Sequence, residues 1–462
     1  MKKLIVCLLL LIGGWTFFHQ SSFNAEKILE QSLLKERKFN GQVQVVSADE
    51  GRLKAYVMQD DSVPLVAVSF GFAKAGKAYE TKEGVALLTE AVLLDGAGQY
   101  SRQELRELMK EKGIKLNVSA GRDRLDFTFS YLKETEKEAL EVLKAVLFYP
   151  KLDKEDLDLA RSQYAAVRRQ RLESPSYHLG KLIDEHFYGS HPYAKDDIPD
   201  EATLAQISSD DIRDYLKKMM GKDNLTVGVA GFKVDDVYTQ RLLTEIFGDL
   251  PEYAQTSDLP TFTPNFTDAA VDNTLDTSAQ SFVLMMAKGI KRLDEDFYPL
   301  YIADYIFGGS GLNSKLNQTV REKNGLTYGI YSYFSNSDAV DLWQIYFSAT
   351  PNKVSTAIKL ANEEYQKFYQ NGVSADDLAQ AKRGLMASFN LRFASLINIA
   401  DMLKFMQVHQ LGEDFLLKRQ SMVEKVTLED VNRAIRKKMP KSLTAADGVR
   451  LFELKAGSAS HP

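Results

Sequence analysis

Two helices far apart in this chain begin in the same way. ISSDDIRDYLKKMM (Ile207–Met220) and VTLEDVNRAIRKKM (Val426–Met439) each open with an apolar residue, then a Ser or Thr, then an acid three positions later. Ser208 with Asp211 and Thr427 with Asp430 thus have the spacing of a capping box, in which hydroxyl and carboxylate satisfy each other's backbone N–H groups. LDKEDLDLARSQ (Leu152–Gln163) echoes VSADDLAQAKRG (Val373–Gly384), and the strand-like VAVSFGFAKAG (Val66–Gly76) echoes SFVLMMAKGI (Ser281–Ile290). LLDGAG (Leu93–Gly98) and IFGGSG (Ile306–Gly311) also correspond. The matched pieces stay 213–221 residues apart. Solenoid repeats recur at roughly 20–50 residues, so a constant offset this large means a duplicated domain.

Within each half, strands alternate with amphipathic helices. SRQELRELMKEKG (Ser101–Gly113) pairs Ser101 with Glu104 as a capping box, carries Leu105, Leu108 and Met109 as its stripe, and stops at Gly113. In RLDFTFSYL (Arg124–Leu132), Leu125, Phe127 and Phe129 alternate with polar residues, as a half-buried strand requires. The expected architecture is α+β: one domain over residues 40–250, a linker over 251–277 and a second domain over 278–455. The linker rests on PEYAQTSDLPTFTPNFTDAA (Pro251–Ala270), which has no periodicity.

Composition narrows the function classes. At 44% hydrophobic and 26% charged residues, the chain is neither disordered nor a multi-span membrane protein. A net charge of −5 with both signs interspersed makes no case for nucleic acid. Two lysines and the apolar stretch Leu4–Phe18 read as a signal peptide or uncleaved anchor over residues 1–25, since 15 apolar residues fall short of a full span. An exported protein is expected, in the bacterial periplasm or on the periplasmic face of the inner membrane, with membrane association possible through residues 4–18. The single cysteine, Cys7, lies inside that stretch, so the body has no disulfide and no thiolate ligand.

A scan for chemistry finds few candidates. The six histidines form no H-x-x-x-H, H-E-x-x-H or H-x-x-E-H pattern. His186 and His191 in HFYGSHPYA are five apart and read as ordinary histidines. FGGSGLNSK (Phe307–Lys315) is neither a nucleophile elbow, since Leu312 stands where glycine is needed, nor a Walker A loop; it reads as a helix end followed by a helix start. In REKNGLTYGIYSYF (Arg321–Phe334), a helix with Leu312, Leu316 and Val320 on one face should end at Gly325, and Tyr328 should lie just inside the following strand. Arg321 and Tyr328 can then point at one place. In GVALLTEAVLLDGAG (Gly84–Gly98), Leu87, Glu90, Ala91 and Leu94 share a helical face, leaving one carboxylate on apolar ground.

GGSGLNSKLNQTVREKNGLTYGIYSYF (Gly308–Phe334) resembles the second-domain signature of the pitrilysin/insulinase family of inverted-zincin metallopeptidases, as do the duplication and HPYA (His191–Ala194). The resemblance implies two homologous domains of the LuxS/mitochondrial-processing-peptidase-like metallohydrolase type in a clamshell, each a mainly antiparallel sheet packed with helices. Catalytic members of that family carry H-x-x-E-H on a helix of the first domain and a further glutamate ligand on a later helix. The matching helix here has Leu87 and Ala91 at both histidine positions and keeps only Glu90, and no acid stands near Val167–Arg168. These degenerate positions imply no zinc, no catalytic residues and no cofactor in this chain. Arg321 and Tyr328 match the family's substrate-binding pair.

The resemblance therefore implies a non-catalytic subunit, not an enzyme on its own. It would supply substrate contacts and half of a peptide chamber to a zinc-binding partner carrying H-x-x-E-H, with peptides or unfolded polypeptides as substrate. A stand-alone peptide-binding scaffold or chaperone is the alternative. Glu90 is expected to meet the guanidinium of Arg168 or Arg169 in place of a metal.

Overall fold

The computed structural model describes residues 42–457. The expected signal peptide or anchor lies outside them. Among the described residues no helix is long and apolar enough to cross a membrane.

The first half contributes β1 (Gln44–Ala48), β2 (Leu53–Gln59), β3 (Leu65–Ala73), the short β4 (Gly96–Ala97) and β5 (Tyr100–Ser101), β6 (Lys115–Ala120), β7 (Arg124–Leu132) and β8 (Leu225–Gly231). The second contributes β9 (Val271–Leu275), β10 (Ser281–Lys288), β11 (Ile330–Ser335), β12 (Leu342–Ala349) and β13 (Val449–Ala456). One sheet runs β6-β7-β3-β8-β2-β1 and the other β11-β12-β10-β13-β9. From β6 and from β11 the pairing is antiparallel until β8 meets β2 and β13 meets β9, both parallel. The duplication read from the sequence is thus a duplication of topology, with β1 added at one edge.

Helices cover one face of each sheet and close a separate core. In the first, Phe70 of β3 stacks on Phe127 of β7 at 4.7 Å between ring centres, and Phe247 meets Phe70 edge-on. In the second, Phe307, Trp343 and Tyr365 form the aromatic centre. The capping boxes at Ser101, Ser208 and Thr427 all form.

The other face of each sheet is covered by a helix from the opposite half. The helix Leu396–Val408 lies across β8, β3 and β2, and its counterpart Pro175–Ile183 lies against β13, β9 and β10. This exchange explains why β3 is buried on both faces along most of its length and reads as a near-continuous apolar run. Polar groups fix the crossing. Ser69 of β3 donates to Asp401, Lys404 reaches Asp126 at 2.9 Å, and the Gln407 amide donates to the Val227 carbonyl. The expected linker is extended but packed down: Phe262 and Phe266 contact Phe187. The linker's final residues differ from expectation, because Val271–Leu275 is the edge strand β9, paired with β13.

Asp304, at the end of the helix Phe297–Asp304, holds the second core together. It is buried and accepts hydrogen bonds from the Ser332 hydroxyl at 2.5 Å and the Trp343 indole N–H at 2.7 Å. Gly308 makes this contact possible, because a Cβ there would meet the Ser332 backbone nitrogen at 2.6 Å. Burial pushes the Asp304 carboxyl up to about 6. The folded chain therefore binds this proton more tightly than the unfolded chain, whose ordinary carboxyl titrates near 4. Stability from this site is full below about pH 4 and falls as pH rises to about 6, by roughly 3 kcal/mol in all. Asp304→Asn keeps the acceptor oxygen and removes the charge. Its melting temperature relative to the parent should be more favourable at pH 8 than at pH 4; an equal difference at both would contradict this account.

Candidate substrate-binding site and degenerate metal helix

The helix Val85–Val92 starts at Gly84, whose φ of +91° suits glycine. Its first N–H groups are capped from upstream. The buried Glu80 carboxylate accepts from Gly84 at 2.8 Å and Ala86 at 2.9 Å, and burial pushes its pKa up to about 6. Sequence reading missed Glu80; an acid four residues before the glycine that opens a helix was the available signal.

Along this helix Leu87 is buried, Ala91 packs against the first core and Glu90 is half-buried. The Glu90 carboxylate accepts the backbone N–H of Ala120, the last residue of β6, at 2.8 Å. The expected arginine is not beside it. Arg168 is drawn to Asp196 at 2.8 Å and to the Ile198 carbonyl, and Arg169 pairs with Glu201 at 2.8 Å. Asp196 outcompetes Glu90 because it sits in a ready polar cluster with Tyr177 and Lys181, whereas Glu90 already has a backbone donor. On the helix Lys154–Arg171 it is Tyr164 that feels Glu90: burial first, then the Glu90 charge, pushes its hydroxyl up to about 12.

The second-half site is a helix–turn–strand segment. Leu316 and Val320 are buried as expected, but Leu312 falls in a separate turn and is exposed. Arg321 lies in the last turn of the helix Asn317–Lys323. The chain reverses at Gly325, with φ +60°, and its N–H bonds the Arg321 carbonyl at 2.8 Å. Two polar side chains pin the turn. The Asn317 amide donates to the Ile330 carbonyl at 2.5 Å and accepts the Ile330 N–H at 3.1 Å. The Thr327 hydroxyl donates to the carbonyls of Gly329 and Ser348 at 2.9 and 2.6 Å. Tyr328 stands between these anchors, before β11 and not inside it, and is 82% exposed. Among the described residues, no hydrogen bond or ion pair engages the Arg321 guanidinium or the Tyr328 hydroxyl. The turn is held firmly, and the two functional groups on it are free.

HPYA plays a structural part. His191 is buried; its Nδ1 accepts the Tyr193 N–H at 3.2 Å, which leaves an Nε2–H to donate to the Pro260 carbonyl at 3.1 Å. The Tyr193 hydroxyl donates to Asp123 and accepts from the Ala339 N–H, tying the two halves. His186 is exposed and forms no pair with His191.

Residues 57–196 match the family model described as insulinase (peptidase family M16), and residues 206–385 match the one described as peptidase M16 inactive domain. The chain belongs to the insulinase, or M16, family. Among M16 relatives it is 24% identical over 355 residues to the "non-peptidase homolog YmxG" of Helicobacter pylori, covering 74% of this chain and 79% of that protein. It is also 24% identical over 322 residues to the "uncharacterized zinc protease YmxG" of Bacillus subtilis, covering 69% and 77%. Its fold is that of the crystal structure described as a peptidase M16 inactive domain from Pseudomonas fluorescens, with TM-score 0.81 at 23% identity over 91% of this chain and 99% of that one.

The donor set does not fit the M16 zinc. Leu87 and Ala91 offer no lone pair, Glu90 already accepts a backbone N–H, and the later-helix side chain that feels the Glu90 charge is the Tyr164 phenol. Zinc needs three or four N, O or S ligands. Among the described residues no other group of His, Cys, Asp or Glu is placed to hold a metal. This chain is not a peptidase on its own.

Proposed function

We propose that this chain is the zinc-less subunit of an exported heterodimeric M16 peptidase, gripping peptide substrate through Arg321 and Tyr328 while a partner bearing H-x-x-E-H supplies the metal. The observation that carries this reading is the pairing of a dead metal helix with an intact, pinned and unengaged Arg321–Tyr328 turn. A guanidinium donates to peptide carbonyls, and a phenol donates to the oxyanion that forms as a peptide carbonyl is attacked. A chain that used this turn only for packing would bury the tyrosine or bond it. The lysines and apolar stretch at the start of the sequence support export.

The test is reconstitution. Mixed with an M16 partner that carries H-x-x-E-H, the chain should form a one-to-one complex that hydrolyses unfolded peptide. A partner that is equally active alone, or that never associates, would refute the reading and favour a stand-alone scaffold.

A further inference from the structure

A second constellation lies in the same half of the chain as the Arg321 turn but on different elements. Arg292, in the loop after β10, and Arg419, on the helix Phe415–Lys425, face a cavity of about 340 Å³ together with Arg392. Arg419 is 6% exposed, far below the usual exposure of a charged side chain. No carboxylate among the described residues lies within ion-pair distance of any of the three. Their contacts are aromatic instead. Arg419 sits over Phe389 at 3.8 Å, and Arg292 over Phe297 at 4.5 Å and Phe405 at 5.1 Å. The Tyr301 hydroxyl is the polar neighbour of Arg419. Burial holds both Arg292 and Arg419 below the ordinary guanidinium range, and the charge of Arg392 adds to this. The acids around the cavity are engaged elsewhere: Asp126 and Asp401, which line the adjoining cavity, are bonded by Lys404 and Ser69, and Asp341, which with Asp338 acts on His409 at the rim, is bonded by Asn336.

Burying a cation without an anion is costly, and here the buried Arg419 and the half-buried Arg292 face one empty space with the exposed Arg392 at its edge. Cation–π contacts offset only part of that cost. The arrangement makes chemical sense when an anion enters: guanidinium forks match a carboxylate in two-point fashion, and the rings receive whatever the carboxylate is attached to. A mouth exists. An adjoining cavity of about 550 Å³ shares Arg392, Met402, Phe405 and His409 and reaches Arg124 on β7. The inner volume is at the small end for ligand pockets.

We propose that this cavity is a binding site for a small carboxylate carried on an aromatic or branched apolar body. Two sources offer that chemistry: a free aromatic acid, and the C-terminal carboxylate of a peptide ending in an aromatic residue. The site does not depend on the peptidase-subunit reading.

Calorimetric titration of the full chain tests it with N-acetyl-phenylalanine, its carboxamide, and a pentapeptide ending in phenylalanine with a free or amidated terminus. The free acid should bind at least tenfold more tightly than its amide. Arg392→Ala, at an exposed position, and Arg292→Met should each weaken the acid tenfold or more while circular dichroism melts stay cooperative. If the free-terminus peptide binds as well as N-acetyl-phenylalanine, the source is a chain terminus; if only the small acid binds, the source is a free acid. Equal binding of acid and amide, no binding of any probe, or acid binding that survives both substitutions would overturn the proposal.

Discussion

Arg321→Ala and Tyr328→Phe should each lower peptide turnover by the reconstituted pair about 100-fold, the usual loss for one transition-state donor. Neither should alter the stability of this chain by more than about 0.5 kcal/mol, because surface groups without partners contribute little. The two variants should differ in kind. A guanidinium that holds ground-state carbonyls raises KM when lost, whereas a phenol that meets the developing oxyanion lowers kcat. Tyr328→Phe keeps the ring and removes only the hydroxyl, so a loss there cannot be ascribed to packing. Unchanged hydrolysis in both variants, with the complex intact, would show that the turn does not grip substrate.

The second large effect concerns how the halves hold each other. Gly228 lies on β8 where the helix Leu396–Val408 crosses the first sheet. A Cβ at that position would stand 2.1 Å from the Ala400 carbonyl oxygen and 2.7 Å from the Lys404 nitrogen, both backbone atoms that cannot swing away. Gly228→Ala should therefore push the helix off β8 and cost about 3 kcal/mol or more, at the upper end for overpacking. It should also loosen the Lys404–Asp126 pair and the Ser69–Asp401 contact. Gly180→Ala is the control. Gly180 lies inside the partner helix Pro175–Ile183 with nothing within 4 Å of an added Cβ. It should be neutral or stabilising by up to about 1 kcal/mol. Urea denaturation of both variants decides the matter, and a Gly228→Ala midpoint equal to the parent's would mean that the crossing is looser than described.

Local grammar made much of this fold legible. The capping boxes at Ser101, Ser208 and Thr427 announced helix starts because both partners lie within one turn of sequence. The alternation of Leu125, Phe127 and Phe129 announced β7 because strand period needs no distant information. The duplication was visible for the same reason: each half repeats its own local signals. What crosses between halves was not legible. Nothing in the matched pieces tells which sheet the Leu396–Val408 helix will cover. The burial of β3 on both faces was written in its composition, but the covering element was not.

The site divides along the same line. Loss of the metal helix could be read position by position at Leu87 and Ala91. The fate of Glu90 could not, because its partner is a backbone N–H at Ala120, and backbone groups leave no trace in side-chain chemistry. Arg168 stands near the position of the family's lost third ligand, yet Asp196 and Tyr177 take it through contacts that only the fold creates. The Arg292–Arg392–Arg419 cluster escaped notice altogether: three arginines from three separate segments share no spacing.

The most direct measurement is the zinc content of this chain purified alone in zinc-replete buffer, with peptide hydrolysis assayed on the same sample. Far less than one zinc per chain, and no hydrolysis until a partner bearing H-x-x-E-H is added, is the predicted result. One tightly held zinc per chain, together with proteolysis by the isolated polypeptide, would contradict the account at its root.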